Sequence, residues 1–138
     1  MNTKEKILAA NDLFYQAFNQ NDLDLMRKIW HSGPNTECIH PGWGPLQGLD
    51  AILQSWSGIF SNPDDLQIKL SHVKVEVGED LAWVGCQENL FIIQDDGVRA
   101  SAIRATNLFR FSEGKWLLVL HHASSVPGSP VEKTISNN

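Results

Sequence analysis

The sequence predicts an α+β fold in which three N-terminal helices pack on a strongly curved antiparallel sheet and enclose a cone-shaped cavity. Apolar residues recur at helical spacing up to residue 60, and from residue 66 they alternate with polar residues, as in strands. Two of the later segments approach or exceed a dozen residues, which is long for strands. Long twisted strands that contain a bulge curl, and helices across the open side of a curled sheet leave a cavity beneath them.

The first thirty residues predict two helices. Asn2 followed by Glu5 is typical of a helix cap whose third residue reaches back to it. Asn21 or Asp22 caps a second, short helix, which residues 31–34 terminate. The apolar positions of the two helices are Ile7, Leu8, Leu13, Phe14, Ala17, Phe18, Leu25, Met26, Ile29 and Trp30.

A short strand over residues 36–40 comes next and ends at a proline. Residues 41–45 contain two prolines and two glycines, so they form a loop with fixed bends. A third helix is predicted over Leu49–Phe60, because its apolar residues follow one another at steps of three and one.

Four strands in a meander account for the rest of the predicted sheet, over residues 66–77, 81–94, 100–111 and 116–123. The alternation changes parity at Ser71-His72, which indicates a β-bulge inside the first of the four. Asp95-Asp96-Gly97 and the turn at residues 112–115 connect hairpins.

The composition indicates one globular domain. The chain has 138 residues and a net charge of −5, without a cluster of Lys and Arg, which disfavours nucleic acid as a partner. Its apolar runs are too short for a membrane helix or a signal peptide, and its two cysteines make no disulfide framework, so we expect a cytoplasmic location. We expect a single domain over residues 1–125 and a flexible tail over residues 126–138.

Three segments carry a resemblance to a known family. They are Asn19-x-x-Asp22-Leu23-Asp24 between the first two helices, residues 39–48 leading into the third helix, and the ending at residues 116–124. With this order of elements, the chain resembles the nuclear transport factor 2-like superfamily. Within it, the chain is similar to the SnoaL-like and ketosteroid-isomerase-like branch. The resemblance implies a cystatin-like α+β barrel, and it leaves the function open because the fold hosts several enzyme types and non-catalytic dimer modules.

The isomerases of this branch use an Asp before a Pro as base, with a Tyr and a protonated Asp as oxyanion hole. The resemblance places the base position at His40, which precedes Pro41, and the late acid at Asn107. It places the Tyr position at Phe14, next to the only tyrosine, Tyr15. On this basis His40 is the candidate base and Asn107 the candidate oxyanion donor, or else both are buried side chains bonded to the backbone.

Further candidates would line the cavity and contact a ligand. Trp43, in the loop of prolines and glycines, either covers the cavity mouth or plugs a gap between loop and helix. His121 and His122 are neighbours on one strand, so only one of them faces the cavity. The remaining candidates for ligand contact are Phe14, Tyr15, Trp56 and Phe109. The histidines, cysteines and acids show no metal-ligand spacing, so neither a metal nor another cofactor is expected.

Two functional hypotheses follow. In the first, the chain is a cofactor-free acid–base enzyme of isomerase, cyclase, hydrolase or lyase type that acts on a small, mostly apolar carbonyl compound. In the second, it is a non-catalytic ligand-binding module, or one that forms homodimers. A homodimer through the outer face of the sheet is expected in either case, with Ala82, Val84 or Leu108 at the interface according to the register.

Overall fold

The computed structural model describes residues 1–128 and contains three helices and six strands. The helices are α1 (Thr3–Asn19), α2 (Leu23–Ile29) and α3 (Leu49–Phe60), and the strands are β1 (Glu37–Ile39), β2 (Leu46–Gln47), β3 (Asp65–Val77), β4 (Leu81–Gln94), β5 (Gly97–Ser112) and β6 (Lys115–Ser125). The α+β fold class is therefore confirmed. The expected tail begins within the described part, at residue 126, and lies outside it from residue 129 onward.

Local signals in the sequence determine where the helices begin. Asn2 accepts a hydrogen bond from the backbone of Glu5, whose carboxylate accepts one from the backbone of Asn2 in return. Asp22, rather than Asn21, caps α2 by accepting a bond from the backbone of Leu25. The third helix has the predicted bounds and starts after Gly48, whose φ of +86° suits a glycine.

The strands form one sheet in the order β2-β1-β6-β5-β4-β3. The predicted bulge is present, because the register between β3 and β4 shifts between Ser71 and Lys74 and His72 has a φ of +52°. A second register shift at Leu108/Phe109, the strand β2 and the parallel pairing of β1 with β6 were not predicted. In this parallel pair Cys38, the middle residue of β1, lies beside His121 in the middle of β6.

The helices cover one face of the sheet, and the apolar core lies between them. Ala82 and Val84 are buried in that core, so the expectation that either lies on an outer interface was wrong. Trp83, between Ala82 and Val84 on β4, points to the opposite face of the sheet and is 36% exposed. Leu108 is directly opposite Trp83 in the register of β4 and β5 and is partly buried.

Candidate functional site

A cavity of about 320 Å³ lies between the helices and the sheet. Its walls come from α1, α3, the loop after β1 and the strands β3 to β6. Most of the lining is aromatic or aliphatic, and its polar side chains are Tyr15, His40, Glu88, Ser101, His121 and Ser125. A mostly apolar cavity of this size with a few converging polar groups is typical of a small-molecule site.

His40 lies just after β1, where Pro41 follows the strand. Its ring is buried between two tryptophans, with centroids 4.9 Å from Trp43 and 4.7 Å from Trp56. Burial lowers the pKa of His40 to about 4, so the imidazole is neutral at neutral pH.

The hydrogen bonds of His40 define its tautomer. Its Nε2 lies 2.9 Å from the hydroxyl oxygen of Ser55, and that hydroxyl donates its single hydrogen to the carbonyl of Ile52. Ser55 therefore accepts from His40, which places the imidazole hydrogen on Nε2 and the lone pair on Nδ1. The hydrogen-bond partner of His40 is therefore a side chain and not the backbone, which was the alternative for this residue. Cys38 lies 3.7 Å from Nε2, but burial, together with the charge of Glu88, raises the pKa of its thiol, so this sulfur is no thiolate.

Glu88 is a buried carboxyl in the cavity wall that the sequence analysis did not single out. Its Oε2 accepts a 2.6 Å hydrogen bond from the hydroxyl of Tyr15 and lies 4.0 Å from Nε2 of His121. Burial raises the pKa of Glu88 to about 7, and the bond from Tyr15 acts in the opposite direction. A carboxyl with this pKa both gives and takes a proton near neutral pH.

A signal for Glu88 does exist in the sequence. Residues 82, 84, 86, 88 and 90 share one face of β4, and all of them except Glu88 are apolar. An acid among the core-facing positions of a strand is rarely buried without a functional or structural partner. The partner, Tyr15, is 73 residues away in α1, so the pattern along β4 alone does not identify it.

Asn107 is fully buried behind the cavity wall and is not among the described residues that line the cavity. Its Nδ2 donates to Oδ1 of Asn11 at 2.9 Å and to the hydroxyl of Tyr15 at 3.0 Å. Its Oδ1 lies 2.6 Å from Nδ1 of His121. Because both amide hydrogens are donated to protein atoms, the structure differs from the expected direct contact between this amide and a ligand oxygen. It also differs from the alternative, an amide bonded to the backbone.

The two adjacent histidines of β6 face opposite ways. His121 is buried and lines the cavity, whereas His122 is exposed on the other face of the sheet. Phe109 is buried in the core and, like His122, is absent from the described cavity wall. These two side chains were expected to contact a ligand, and their positions correct that expectation. His122 faces away from the cavity because side chains alternate between the two faces of a strand. Phe109 is absent from the described wall because it lies deeper in the core.

Aromatic side chains form much of the remaining wall. Trp43 is 50% exposed and lies at the cavity with its ring against His40. Phe14 and Trp56 line the cavity from α1 and α3, with centroids 5.6 Å apart. The indole Nε1 of Trp56 is buried and has no hydrogen-bond partner within residues 1–128.

No group of three or more His, Cys, Asp and Glu side chains in residues 1–128 is arranged to hold a metal ion. In the same part of the chain, no helix is both long enough and apolar enough to cross a membrane.

The fold and the cavity define a class of small α+β barrels in which helices close one face of a sheet over a pocket. The SnoaL-like domain family matches residues 7–129. The chain therefore belongs to the SnoaL-like domain family, within the NTF2-like superfamily that its sequence resembles.

The chain is also similar to solved structures and to a curated protein. A putative dehydratase of the NTF2-like family from Streptomyces avermitilis is 32% identical, with a TM-score of 0.82 and coverage of 89% of this chain and 95% of that one. A putative calcium/calmodulin-dependent protein kinase type II association domain from Thiobacillus denitrificans is 36% identical, with a TM-score of 0.73 and coverage of 86% and 94%. The F-box protein SKIP8 of Arabidopsis thaliana is 26% identical over 122 residues, which are 88% of this chain and 50% of that protein. The chain thus spans about half the length of this curated relative.

Proposed function

We propose that the chain binds a small, mostly apolar carbonyl compound in the cavity and moves a proton on it without a cofactor. One observation carries this proposal: a neutral imidazole, His40, and a carboxyl with a pKa near 7, Glu88, line the same apolar cavity. Groups with such shifted pKa values in one cleft are typical of acid–base sites.

The tautomer of His40 gives it the role of base. Its unprotonated Nδ1 takes a proton from the carbon next to the ligand carbonyl, and the electron pair of that C–H bond moves toward the carbonyl. Glu88, in its acid form, returns a proton to the ligand. In an isomerisation the proton goes to another carbon. In an elimination it goes to a departing hydroxyl, which leaves as water while a carbon–carbon double bond forms.

Trp56 supports the choice of a carbonyl compound. Its buried indole N–H has no partner among the described residues, and its ring lines the cavity. A buried donor without an acceptor costs about 1–3 kcal/mol, which a ligand oxygen would recover. In this proposal the indole N–H of Trp56 is the oxyanion donor, the role that the family resemblance implies for Asn107.

The comparison with the Streptomyces protein supports elimination among these reactions. That protein is described as a putative dehydratase, and it shares 32% of its residues with this chain over nearly the full length of both. A dehydratase removes water, and in this proposal the Glu88 carboxyl, which lines the cavity, protonates the leaving hydroxyl.

Hydrogen–deuterium exchange tests the proposal without knowledge of the product. Ligands are first found by NMR screening of small ketones, and exchange at the carbon next to the carbonyl is then followed in deuterated buffer. We expect His40→Gln to lower the exchange rate by about 100-fold. His122→Gln, on the outer face, is the control and should keep the wild-type rate. Equal exchange by the wild type and His40→Gln would refute the role of His40.

A second candidate function is self-assembly through the outer face of the sheet. Trp83 lies exposed on this face above Gly85, where any side chain would meet the indole at about 3.2 Å, and Lys74 lies 5.9 Å from its ring. The Thiobacillus association domain, which is 36% identical with a TM-score of 0.73, supports this candidate. A chain that sediments as a monomer at micromolar concentration would contradict it.

A further inference from the structure

We infer that Asn107 is a positioning residue that fixes the tautomer of His121, and that His121 and Glu88 together form a subsite for a hydroxyl group of the ligand. The inference rests on the proposed function, because it assigns contacts to the same ligand. It extends that function by naming the substrate class, a carbonyl compound that also carries a hydroxyl.

The hydrogens of the Asn107 amide determine the tautomer of the His121 imidazole. The amide nitrogen has two hydrogens, and both are donated, to Asn11 and to Tyr15. The amide oxygen, 2.6 Å from Nδ1 of His121, has only lone pairs to offer. Nδ1 must therefore carry the imidazole hydrogen, and Nε2 of the neutral ring carries the lone pair.

The direction in which the hydroxyl hydrogen of Tyr15 points follows in the same way. The Tyr15 oxygen accepts from Asn107, so its own hydrogen is donated to Oε2 of Glu88, 2.6 Å away. Burial and the neighbouring Glu88 raise the pKa of Tyr15 well above its ordinary value, so the phenol keeps this hydrogen at neutral pH.

A gap remains between the last two groups of this network. Nε2 of His121 and Oε2 of Glu88 are 4.0 Å apart, which is too long for a direct hydrogen bond. Burial, with smaller contributions from His40 and His122, lowers the pKa of His121 to about 3, so its Nε2 is an acceptor at neutral pH. Both residues line the cavity, and their side chains are only 3% and 5% exposed.

A ligand hydroxyl matches the gap in geometry and in hydrogen count. An oxygen placed about 2.8 Å from each atom donates its hydrogen to Nε2 of His121 and accepts the hydrogen of protonated Glu88. A carbonyl or methyl group at this position would leave the His121 acceptor unpaired. The same carboxyl hydrogen is the one that a departing hydroxyl needs in an elimination.

Nitrogen NMR measures the tautomer directly and requires no ligand. Long-range proton–nitrogen spectra of the labelled wild type should show His121 with a protonated Nδ1 and a bare Nε2, assigned by the loss of its signals in His121→Gln. His122→Gln, altered one residue away on the exposed face, should leave the His121 pattern intact. A protonated Nε2 in the wild type would overturn the assignment.

Two variants of Asn107 separate positioning from simple packing. Asn107→Leu removes the amide oxygen and should return His121 to a mixture of tautomers, while Asn107→Asp keeps an acceptor for Nδ1 and should preserve the wild-type pattern. On a hydroxy ketone that is turned over, the leucine variant should raise KM by about 10-fold because the subsite loses its His121 acceptor, and the aspartate variant should recover part of this loss. A leucine variant that fails to fold leaves the wild-type spectrum and the aspartate variant as the test. A wild-type tautomer in folded Asn107→Leu would refute the positioning role.

Two ketones with the same carbon skeleton test the subsite. Diacetone alcohol carries a hydroxyl that methyl isobutyl ketone lacks, and an apolar cavity alone would favour the second compound. We expect the wild type to bind diacetone alcohol at least about 10-fold more tightly, and His121→Phe to lose this preference. Equal or weaker binding of diacetone alcohol, or no binding of either ketone, would overturn the hydroxyl subsite. If the wild type prefers diacetone alcohol but does not catalyse deuterium exchange on any ligand, the result counts against the proposed function alone and leaves the hydroxyl subsite standing.

Discussion

The hydroxyl of Tyr15 donates a 2.6 Å hydrogen bond to the carboxyl of Glu88, and both side chains are buried in the wall of one cavity. This contact joins α1 to β4 at a position where burial alone would raise the pKa of the carboxyl further. The bond offsets part of the cost of desolvation and leaves the pKa of Glu88 at about 7. The first helix thereby lowers the pKa of a carboxyl on β4, against the larger effect of burial.

Replacement of Glu88 by Gln should change how stability depends on pH. The pKa of Glu88 is about 7 in the folded chain and near 4.5 when the group is solvated, so the folded state binds more protons between these values. Its contribution to stability is full below about pH 4.5 and is lost as pH rises through 7. Relative to Glu88→Gln, the wild type should therefore lose about 3 kcal/mol of unfolding free energy between about pH 5 and pH 8.

Urea unfolding of both proteins across this range measures the difference. His40 and His121 have lowered pKa values, so their contribution to the unfolding free energy rises with pH below about pH 6.5. Both residues are present in both proteins, so this contribution cancels in the difference. Glu79→Gln, at an exposed acid in the turn after β3, is the control and should follow the wild type. A constant difference between the wild type and Glu88→Gln across the range would show that the pKa of Glu88 is not raised.

The rate of ligand turnover should follow a bell-shaped pH profile. It should rise with pH through about 4 as His40 loses its proton, and fall through about 7 as Glu88 loses its own. In Glu88→Gln the fall above neutral pH should disappear along with most of the rate. The measurement is kcat/KM over the pH range in which circular dichroism shows the chain folded. A profile without a fall near pH 7 would assign the proton donor to another group.

Most of the fold was predictable because its signals are local. The bounds of α3 follow from the apolar spacing between Leu49 and Phe60, and the bulge at Ser71 follows from a change of parity. The parallel pairing of β1 with β6 was not predictable, because it joins residues more than eighty positions apart and β1 has only three residues.

The candidate site was predictable only in part for the same reason. His40 was found from the strand end that precedes Pro41, and it lies in the cavity wall. Glu88 was missed, since its importance depends on contacts with Tyr15 in α1 and His121 in β6. The position of Asn107 behind the wall depends on the depth of the core, which the parity of a strand does not give.

Removal of the Trp43 side chain should weaken ligand binding without unfolding the chain. Trp43 is half exposed, so little core packing is lost, but its ring contacts His40 and forms part of the cavity wall. We expect Trp43→Ala to cost about 1 kcal/mol of binding free energy, roughly a fivefold loss of affinity. NMR titration with a ketone found by screening measures it. Phe111→Ala, at an aromatic residue of similar exposure outside the cavity, should bind with wild-type affinity.

A charge on the outer face of the sheet should dissociate any assembly that this face forms. Trp83 is exposed beside Leu108 on the neighbouring strand, and a glutamate there would remove the apolar contact area of the indole and would be costly to desolvate between two copies. We expect the wild type to sediment as a dimer or larger assembly at micromolar concentration, and Trp83→Glu to sediment as a folded monomer. Leu13→Glu, at an exposed apolar residue on α1, is the matched control and should keep the wild-type state. If Trp83→Glu remains assembled, another surface holds the copies together, and the outer face is free for a different role.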